Sequence, residues 1–342
     1  MLTLGLETSC DETSAAVVEN GFKIRSNIIS SSLFKHQPFG GVVPEIASRH
    51  SLEQVDFVFE QALKQAGVKP ADLDLVAVTA GPGLIGSLLV GVCFGKALSY
   101  RLKIPLMGVN HLEAHLSACF MVPESGAKRA AEFIGLLVSG GHTMITHHRR
   151  KKIEVLGETV DDAVGEAYDK VAKILGLGFP GGPVLDRLAK EGNPDAVAFT
   201  KPKQKNRFGF SYSGIKTAVL YHVQKARSRA GWNEQDEEQL RRDVAASFQR
   251  HAISWLVEKT MDAVQLKKAG HVAVGGGVSA NSHLRARMAQ ETAAAGVKLW
   301  LSPLPLSGDN AAMIACRGWE CFQSGKKSSL NLAANPNLKI SA

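Results

Sequence analysis

Two stretches of the chain place a short apolar segment, a polar turn and a second apolar segment in succession. In the first stretch, residues 2–7 and 13–19 predict two strands joined by the polar turn 8–12. In the second, within 133–147, the segments FIGLLV and TMITHH flank Ser139-Gly140-Gly141-His142. A strand–turn–strand unit that opens each half of the chain predicts a duplicated architecture.

Between these two units, helical and extended patterns alternate. Apolar residues recur at helical spacing over 48–66 and 84–101, and short apolar segments at 75–79 and 106–109 predict strands. Such alternation is typical of βαβ units. The pattern therefore predicts an α/β protein.

The second half of the chain is richer in helix. Its pattern predicts an amphipathic helix over 160–176 and a long helix over 234–267, with Asn233 as the N-cap of the latter. An apolar strand over 271–274 then leads into the loop Gly275–Asn281 and a further helix. A last helix is expected at about 310–323, and the polar tail from Gly325 onward is expected to be loosely held.

Composition narrows the class of protein. At 342 residues, with 45% hydrophobic residues, the chain is long enough for two domains, and we expect two lobes packed around a cleft. The N-terminus carries an acid at Glu7 and lacks the basic region of a secretory signal, and the run 83–95 is too short and glycine-rich to span a bilayer. Five scattered cysteines suit a reducing cytosol. We therefore expect a soluble cytoplasmic protein without a membrane partner.

The segment His111-Leu112-Glu113-Ala114-His115 is the main candidate for metal binding. Histidines four residues apart lie on the same face of a helix, where they can bind one divalent ion. Two histidines placed at this spacing by chance are the alternative. A third ligand must come from elsewhere, and Asp309 is the best candidate, with a helix N-cap as its alternative role.

Three glycine-rich turns could hold an anion. They are Gly81-Pro82-Gly83, Ser139–Thr143 and Gly275–Asn281, and each follows a predicted strand. Without Cβ atoms, backbone N–H groups can approach a phosphate closely. The third turn gives the stronger signal, because three consecutive glycines are costly in chain entropy. For the other two, a plain connection between elements remains open.

Carboxylates form two further candidates. The turn from Glu7 to Glu12 could face a nucleotide, with Asp11 holding a metal or a water, or it could be a polar hairpin turn. On the predicted helix 160–176, a stripe of charged residues includes Asp169, which could bind ribose hydroxyls. Periodicity alone favours a solvated face with ion pairs for that stripe. Gly182 and Asp186 follow and would add a backbone approach and a second carboxylate.

The net charge of +8 favours a polyanionic partner. Basic residues gather in four places, and such runs either are solvated faces or contact a phosphate backbone. These places are 149–152, 201–207, 225–229 and 241–242.

Ten motifs occur in a fixed order over residues 2–325, and together they carry a specific resemblance. They are LGLETSCDET, GGVVPEIASRH, TAGPGLIGSLLVG, HLEAH, LVSGGHT, GEAYDKVAKILGL, FPGGP, FSYSGIKT, GGGVSAN and SGDNAAMIA. In this order the chain closely resembles the bacterial tRNA N6-adenosine threonylcarbamoyltransferase family, formerly labelled O-sialoglycoprotein endopeptidases.

The resemblance implies an actin-like fold of the hexokinase and Hsp70 type, duplicated into two lobes with a central cleft. The lobes would span 1–130, with a return at about 305–325, and 131–304, followed by the polar tail 325–342. It also implies a reaction in which threonylcarbamoyl moves from threonylcarbamoyl-AMP to N6 of adenosine 37, in tRNAs that read codons beginning with A.

The resemblance assigns three sets of residues. His111, His115 and Asp309 would hold a metal, Fe²⁺ or Zn²⁺, with Mg²⁺ accompanying the nucleotide as a further possibility. Asp11 and Glu12 would lie at the reacting end, where a carboxylate could take the proton of the attacking amine. The adenylate would be bound by Leu137, Val138, Ser139, Gly140, Gly141, Asp169, Gly182, Asp186 and Asn281.

The resemblance also implies partners, namely tRNA, a partner paralogue subunit and a small ATPase. We expect the paralogue to dock on a helix of the first lobe, for which 48–66 is the candidate.

Three other functions share features with this sequence. In H-E-x-x-H peptidases the catalytic Glu follows the first histidine, whereas Glu113 lies two residues after His111, about 200° around the helix, which argues against a metalloendopeptidase. An ATP-dependent small-molecule kinase of the same fold would need no two-histidine site. A non-catalytic paralogue would lack His111, His115 and the loop Gly275–Asn281.

Overall fold

The computed structural model describes residues 1–121, 130–150, 152–201 and 204–340. The chain divides into two compact units. The first unit comprises Met1–Arg129 and Ser302–Ser341, and the second comprises Ala130–Leu301.

Each unit is built on a mixed sheet, and the two sheets repeat one topology. Among the described residues, the first sheet has the strand order β3-β2-β1-β4-β5, and the second has the order β8-β7-β6-β9-β10. In both sheets the first three strands pair antiparallel and the last two join in parallel. The strands are β1 Leu2–Glu7, β2 Glu12–Glu19, β3 Lys23–Ser31, β4 Leu75–Gly81, β5 Leu106–Asn110, β6 Glu132–Val138, β7 Thr143–Arg149, β8 Lys152–Glu158, β9 His271–Gly275 and β10 Lys298–Leu301. The predicted duplication is confirmed by this repeated order.

Helices pack on the sheets within each unit. The described helices are α1 Leu33–His36, α2 Pro44–Ala66, α3 Ile85–Leu102, α4 His111–Ala118, α5 Val164–Ile174, α6 Gly181–Leu188, α7 Ser213–Arg227, α8 Glu234–Lys267, α9 Ser282–Ala294 and α10 Ala311–Gln323. In the first unit α10 lies against β1 so closely that a Cβ on Gly5 would stand 2.1 Å from the carbonyl oxygen of Ala311.

The long helix α8 matches its predicted bounds because its start is encoded locally. The side chain of Asn233 accepts hydrogen bonds from the amides of Gln235 and Asp236, and Asp236 in turn accepts from the amide of Asn233. This reciprocal capping satisfies donors that the first turn leaves open. Buried side chains along α8, among them Phe248 and Trp255, then build the core of the second unit.

The helix predicted over 160–176 is wrong at its start, since α5 begins at Val164. Residues 160–163 are held in a turn by tertiary and local hydrogen bonds. Asp161 accepts from the amides of Tyr212 and Ser213, and Thr159 Oγ1 donates to the carbonyl of Asp162. Helical periodicity does not reveal such competing partners.

Helix α3 is longer than the apolar run singled out in the sequence. By length and composition alone it is the one helix of the described residues that could cross a membrane, and a third of it is buried in the protein. Its glycines permit close packing on the first unit, because a Cβ on Gly95 would meet Val78 Cγ1 at 2.2 Å and one on Gly91 would meet Thr8 Oγ1 at 2.4 Å. These contacts are those of a helix that packs on a protein core.

The polar tail is more firmly held than expected. The amide of Ser328 donates to the carbonyl of Leu106 (3.0 Å) and that of Asn335 to Ala80 (2.8 Å), because unpaired groups beside β4 and β5 need partners. The amide of Gly83 donates to the carbonyl of Pro336 at 3.2 Å. The turn 81–83 therefore connects elements beneath the tail, which favours the plainer of its two interpretations.

Candidate functional site

One candidate site is a cluster of metal-ligand side chains in the first unit. Helix α4 begins at His111 because the side chain of Asn110 accepts hydrogen bonds from the amides of Leu112 (2.9 Å) and Glu113 (3.2 Å). The rings of His111 and His115 lie one turn apart, with centroids 4.6 Å from each other. Both rings are buried.

Asp309 completes this cluster. Its carboxylate Oδ1 lies 3.2 Å from His115 Nε2 and 3.6 Å from His111 Nε2, and one ligand atom from each of the three residues lies within 4.8 Å of the others. The N-cap of α10 is Asn310, whose side chain accepts from the amide of Met313, so Asp309 does not have the alternative role of N-cap.

The donor set fits a transition metal. Nδ1 of His115 is buried without a hydrogen-bond partner, and the buried Nε2 faces the carboxylate of Asp309, an arrangement that a cation between Nε2 and the carboxylate would stabilise. Two imidazoles and one carboxylate, with positions left for other ligands, are the set that suits Fe²⁺ or Zn²⁺. His111, His115 and Asp309 could hold such an ion.

Glu7 supports the cluster from behind, a contact that the sequence analysis missed. Its Oε2 lies 3.2 Å from Nδ1 of His111 and accepts a hydrogen bond from Thr79 Oγ1 (2.5 Å), while its Oε1 accepts from the amide of Ser9 (2.6 Å). Burial opposes a charge on His111, but the charges of Glu7 and Asp309 outweigh it and raise the pKa of His111 to about 9. In the sequence, the available signal for this contact was an acidic residue at the end of an apolar strand.

The two carboxylates predicted at the reacting end are those of Asp11 and Glu12, and the charges of Asp11 and Asp309 both act on Glu12. Glu12 is the first residue of β2, and its Oε1 accepts a hydrogen bond from Ser31 Oγ at 3.1 Å. Burial, together with the negative charges of Asp309 and Asp11, raises the pKa of Glu12. The fold thus gathers these carboxylates near Asp309, and the pKa of Glu12, raised to about 10, keeps this group protonated near neutral pH.

Glu113 points to another partner. Its Oε2 accepts hydrogen bonds from Arg317 of α10, from Nε at 3.0 Å and from Nη2. The carboxylate is thus held in an ion pair on the α10 side of the helix. It does not have the position of a peptidase general base, as its spacing predicted.

A second candidate site is a pocket of about 580 Å³ within the second unit. Apolar groups make up much of its wall, as in pockets that take a flat organic group. Its apolar members Tyr168, Pro180, Pro183, Val278 and Ala280 fall within three of the ten motifs, but none of them was predicted as a site residue. The lining residues are Gly140, Gly165, Tyr168, Asp169, Pro180, Gly182, Pro183, Asp186, Arg187, Gly277, Val278, Ala280 and Asn281.

Five of the nine residues predicted to bind the adenylate line this pocket. The side chains of Leu137 and Val138 are both buried, on opposite faces of β6, so only their backbone could contact a ligand. Ser139 Oγ accepts from the amide of His142 at 3.1 Å, which shapes the turn. The five that line the pocket are Gly140, Asp169, Gly182, Asp186 and Asn281, and Gly141 is exposed beside them.

The polar members of the pocket also hold its walls together. Asp169 accepts from the amide of Gly181 (2.8 Å) and Asp186 from Ser282 Oγ (2.9 Å), so each carboxylate holds the start of a helix. Asn281 caps α9 and donates to Gln249 Oε1 at 2.7 Å. These residues form a preorganised wall, and they have a structural role whatever they bind.

Two glycines allow the close backbone approaches that form the pocket. A Cβ on Gly165 would stand 2.6 Å from the carbonyl oxygen of Ser139. Gly276 has φ +94°, and its Cβ would stand 2.4 Å from the carbonyl oxygen of Val138. Any larger residue must displace the Ser139–Gly141 loop or the strand before it.

The basic runs of the second unit are partly neutralised. Arg227 pairs with Glu237 (2.6 Å), Arg242 with Glu238 (2.6 Å) and Arg207 with Asp262 (3.3 Å). These pairs favour the solvated-face interpretation for those cations. Lys151, Pro202 and Lys203 of the predicted runs lie outside the described residues.

Comparison with known proteins identifies the family. A family model described as tRNA N6-adenosine threonylcarbamoyltransferase matches residues 23–316. The chain belongs to this family. A relative of that name from Thermosipho melanesiensis is 47% identical over 341 residues, covering 99% of this chain and 100% of the relative. Another from Clostridioides difficile is 45% identical over 342 residues, covering 99% and 98%.

The resemblance drawn from the motifs is therefore confirmed, as are the predicted transferase class and the formation of N6-threonylcarbamoyladenosine on tRNA. These relatives are named neither as endopeptidases nor as small-molecule kinases.

Solved structures share the fold at low sequence identity. Full-length HypF in its phosphate- and nucleotide-bound form matches with a TM-score of 0.59 and 14% identity, covering 96% of this chain and 47% of that one. Component A of (R)-2-hydroxyglutaryl-CoA dehydratase from Acidaminococcus fermentans matches with a TM-score of 0.52 and 15% identity, covering 95% and 100%. The predicted actin-like α/β fold is confirmed by these matches.

Proposed function

We propose that the chain transfers threonylcarbamoyl from threonylcarbamoyl-AMP to N6 of adenosine 37, in tRNAs that read codons beginning with A. The observation that carries the proposal is the cluster of His111, His115 and Asp309 with the carboxylates of Asp11 and Glu12 near it. The family supplies the acceptor nucleoside and the group transferred.

The donor's nucleotide end is assigned to the pocket of the second unit. The apolar faces of Pro180, Pro183 and Val278 suit an adenine ring, and the exposed amides of Gly140 and Gly141 suit a phosphate. The carboxylates of Asp169 and Asp186, which line the pocket and hold the starts of α6 and α9, are assigned to the ribose hydroxyls.

The metal ligands are assigned to Fe²⁺, with Zn²⁺ as the alternative. A bound ion would supply Lewis-acid polarisation of the carbamoyl or phosphate oxygen. Glu7 orients His111 by accepting at Nδ1, which leaves Nε2 directed toward Asp309. A neutral His111 that donates from Nδ1 to Glu7 would carry its lone pair on Nε2, the atom that would then bind the metal.

Proton transfer is assigned to the acidic turn. The N6 amine attacks the carbamoyl carbon, the bond from that carbon to the phosphate oxygen breaks, and AMP leaves with the bonding pair. The amine then loses a proton, which Asp11 or Glu12 accepts. The pKa of Glu12 is raised to about 10, so Glu12 is protonated near neutral pH, and Asp11 is the better candidate for the acceptor. The donor is already activated, so the scheme requires no protein nucleophile.

The docking surface for the partner paralogue is assigned to helices α2 and α3. The small ATPase is assigned to the complex that the chain forms with this paralogue. Large apolar side chains stand exposed on these two packed helices of the first unit, as on surfaces that another protein covers. They are Leu52, Phe57, Ile85 and Leu89. Leu52→Asp and Leu89→Asp should abolish co-purification of the paralogue while leaving metal content unchanged.

The deciding experiment is nucleoside mass analysis of a tRNA that reads an A-initial codon, incubated with the chain, threonylcarbamoyl-AMP and the partner proteins. We expect threonylcarbamoyladenosine only with the intact chain, and none with His111→Ala. Absence of product with partners shown to be active would refute the proposal. ATP-dependent phosphorylation of small molecules by the same preparation would favour the kinase alternative instead.

A further inference from the structure

Two helices of the first unit carry the candidate metal ligands. Helix α4 bears His111 and His115, and α10 begins two residues after Asp309. The distances among the three ligand atoms therefore depend on how α4 is placed along α10. A shift of about 1.5 Å, the rise of one helical residue, would take Asp309 out of reach of one histidine.

The apolar contact between these helices is poorly suited to fixing that placement. The buried cluster that the two helices share contains alanines on both helices, beside the larger Met313 and Ile314 of α10, and alanines give shallow ridges and grooves. The members of this cluster on the two helices include Ala114, Ala118, Ala311, Ala312 and Ala315.

A polar connection spans the same two helices. Arg317 of α10 donates to Glu113 Oε2 from two guanidinium nitrogens, and its Nη1 donates to Glu320 Oε2 at 3.0 Å. Ser117 of α4 donates to the same oxygen of Glu320 at 3.1 Å. The side chains of Glu113 and Arg317 are 6% and 14% exposed. Two contacts, one helical turn apart on α4, thus join the helices.

We propose that Arg317 and Glu113 are positioning residues, which set the placement of α4 on α10 and thereby the geometry of the metal site. The inference rests on the proposed metal-binding role of His111, His115 and Asp309. A buried ion pair adds little net stability compared with apolar residues of the same size, whereas its directional hydrogen bonds specify one arrangement. Glu113 lies between the two histidines in sequence, so restraining it restrains both.

The test is a Co²⁺ titration of the metal-depleted full-length protein, followed through the visible absorption bands of the bound ion. We expect Arg317→Met to weaken Co²⁺ binding 10- to 100-fold, the range found for residues that orient metal ligands, and to change the band positions. Arg49→Met is the matched control, because Arg49 forms an exposed ion pair with Glu45 on α2. That variant should bind Co²⁺ as the wild type does.

A double-variant cycle separates positioning from general weakening of the protein. If the two residues act through one contact, Glu113→Gln combined with Arg317→Met should weaken Co²⁺ binding no more than Arg317→Met alone. Arg317→Lys, which keeps the charge but loses the two-point fork, should give a smaller loss. If Arg317→Met does not fold, the Co²⁺ titration is made with Arg317→Lys in its place.

Unchanged Co²⁺ affinity and bands in both Arg317 variants would overturn the inference. Additive losses in the cycle, with a matching fall in the melting temperature of the metal-free protein, would also overturn it and leave an ordinary stabilising pair. A wild-type protein that binds no Co²⁺ would instead refute the proposed metal site, and His111→Ala would then behave as the wild type does.

Discussion

The two units repeat one sheet topology but use the same turn in different chemical ways. In the first unit the turn between β1 and β2 is acidic, and Glu12, the first residue of β2, lies near enough to Asp11 and Asp309 for their charges to act on it. In the second unit the turn between β6 and β7 is rich in glycine and presents exposed backbone beside a pocket. A duplicated backbone therefore fixes where a site can lie, and the turn residues decide whether side chains or amides provide its chemistry.

The largest effect is expected at the proposed metal ligands of the first unit. Asp309→Ala removes the one carboxylate of the cluster, so bound metal should fall to background and threonylcarbamoyladenosine formation should be lost. Metal analysis of the purified protein and nucleoside mass analysis measure the two outcomes. Glu53→Ala, an exposed acid on α2, is the control. Full metal retention in Asp309→Ala would contradict the assignment.

The acidic turn should give the next largest effect. Asp11→Ala is expected to lower the single-turnover rate of transfer by about 10²- to 10⁴-fold, the usual contribution of a proton-transfer group, with donor binding retained. Rapid-quench kinetics and calorimetric titration of threonylcarbamoyl-AMP measure the two quantities. Lost donor binding would show that the carboxylate holds the donor instead.

The third effect is expected where a side chain is added beside the glycine-rich loop Ser139–Gly141 of the second unit. Gly165→Ala pushes a Cβ to 2.6 Å from the carbonyl oxygen of Ser139, so the loop must move at a cost of about 1–3 kcal/mol. Donor affinity should fall about tenfold, with metal content unchanged. Gly214→Ala, whose Cβ would meet no atom within 4 Å, is the matched control. Equal donor affinity in the two variants would argue against the pocket assignment.

The smallest effect concerns a carboxylate of the second unit that has a structural role. Burial tends to raise the pKa of Asp161, but hydrogen bonds from the hydroxyls of Ser211 and Ser213 and from the amides of Tyr212 and Ser213 lower it overall. Stability from this group is therefore present above the unfolded pKa near 3.9 and is lost as the pH falls through the lowered folded value.

Asp161→Asn should accordingly lower the free energy of unfolding at pH 7 by about 1 kcal/mol. The difference from the wild type should shrink when the pH is taken below about 3.9. Urea denaturation at several pH values measures it. A difference that grows toward low pH would show that the sign is wrong.

Much of the fold could be predicted from the sequence. Strands β1 and β2, the bounds of α8 and the placement of the HLEAH segment on a helix all follow from local apolar spacing and capping residues. The start of α5 could not be predicted, because Asp161 accepts hydrogen bonds from Ser211 and Tyr212, which lie about fifty positions away in the sequence. The firmly held tail has the same cause, because its backbone partners lie on β4 and β5.

For the site, the sequence alone determined which residue types are present and the local spacing that pairs His111 with His115. Only the tertiary structure decided that Asp309 reaches them, that Glu7 lies behind His111 and that Glu113 is held by Arg317. Local periodicity and caps are set by residues within one or two turns of each other. Contacts across 100 to 200 positions arise only when the buried sheet and helices pack, and no short-range pattern specifies them.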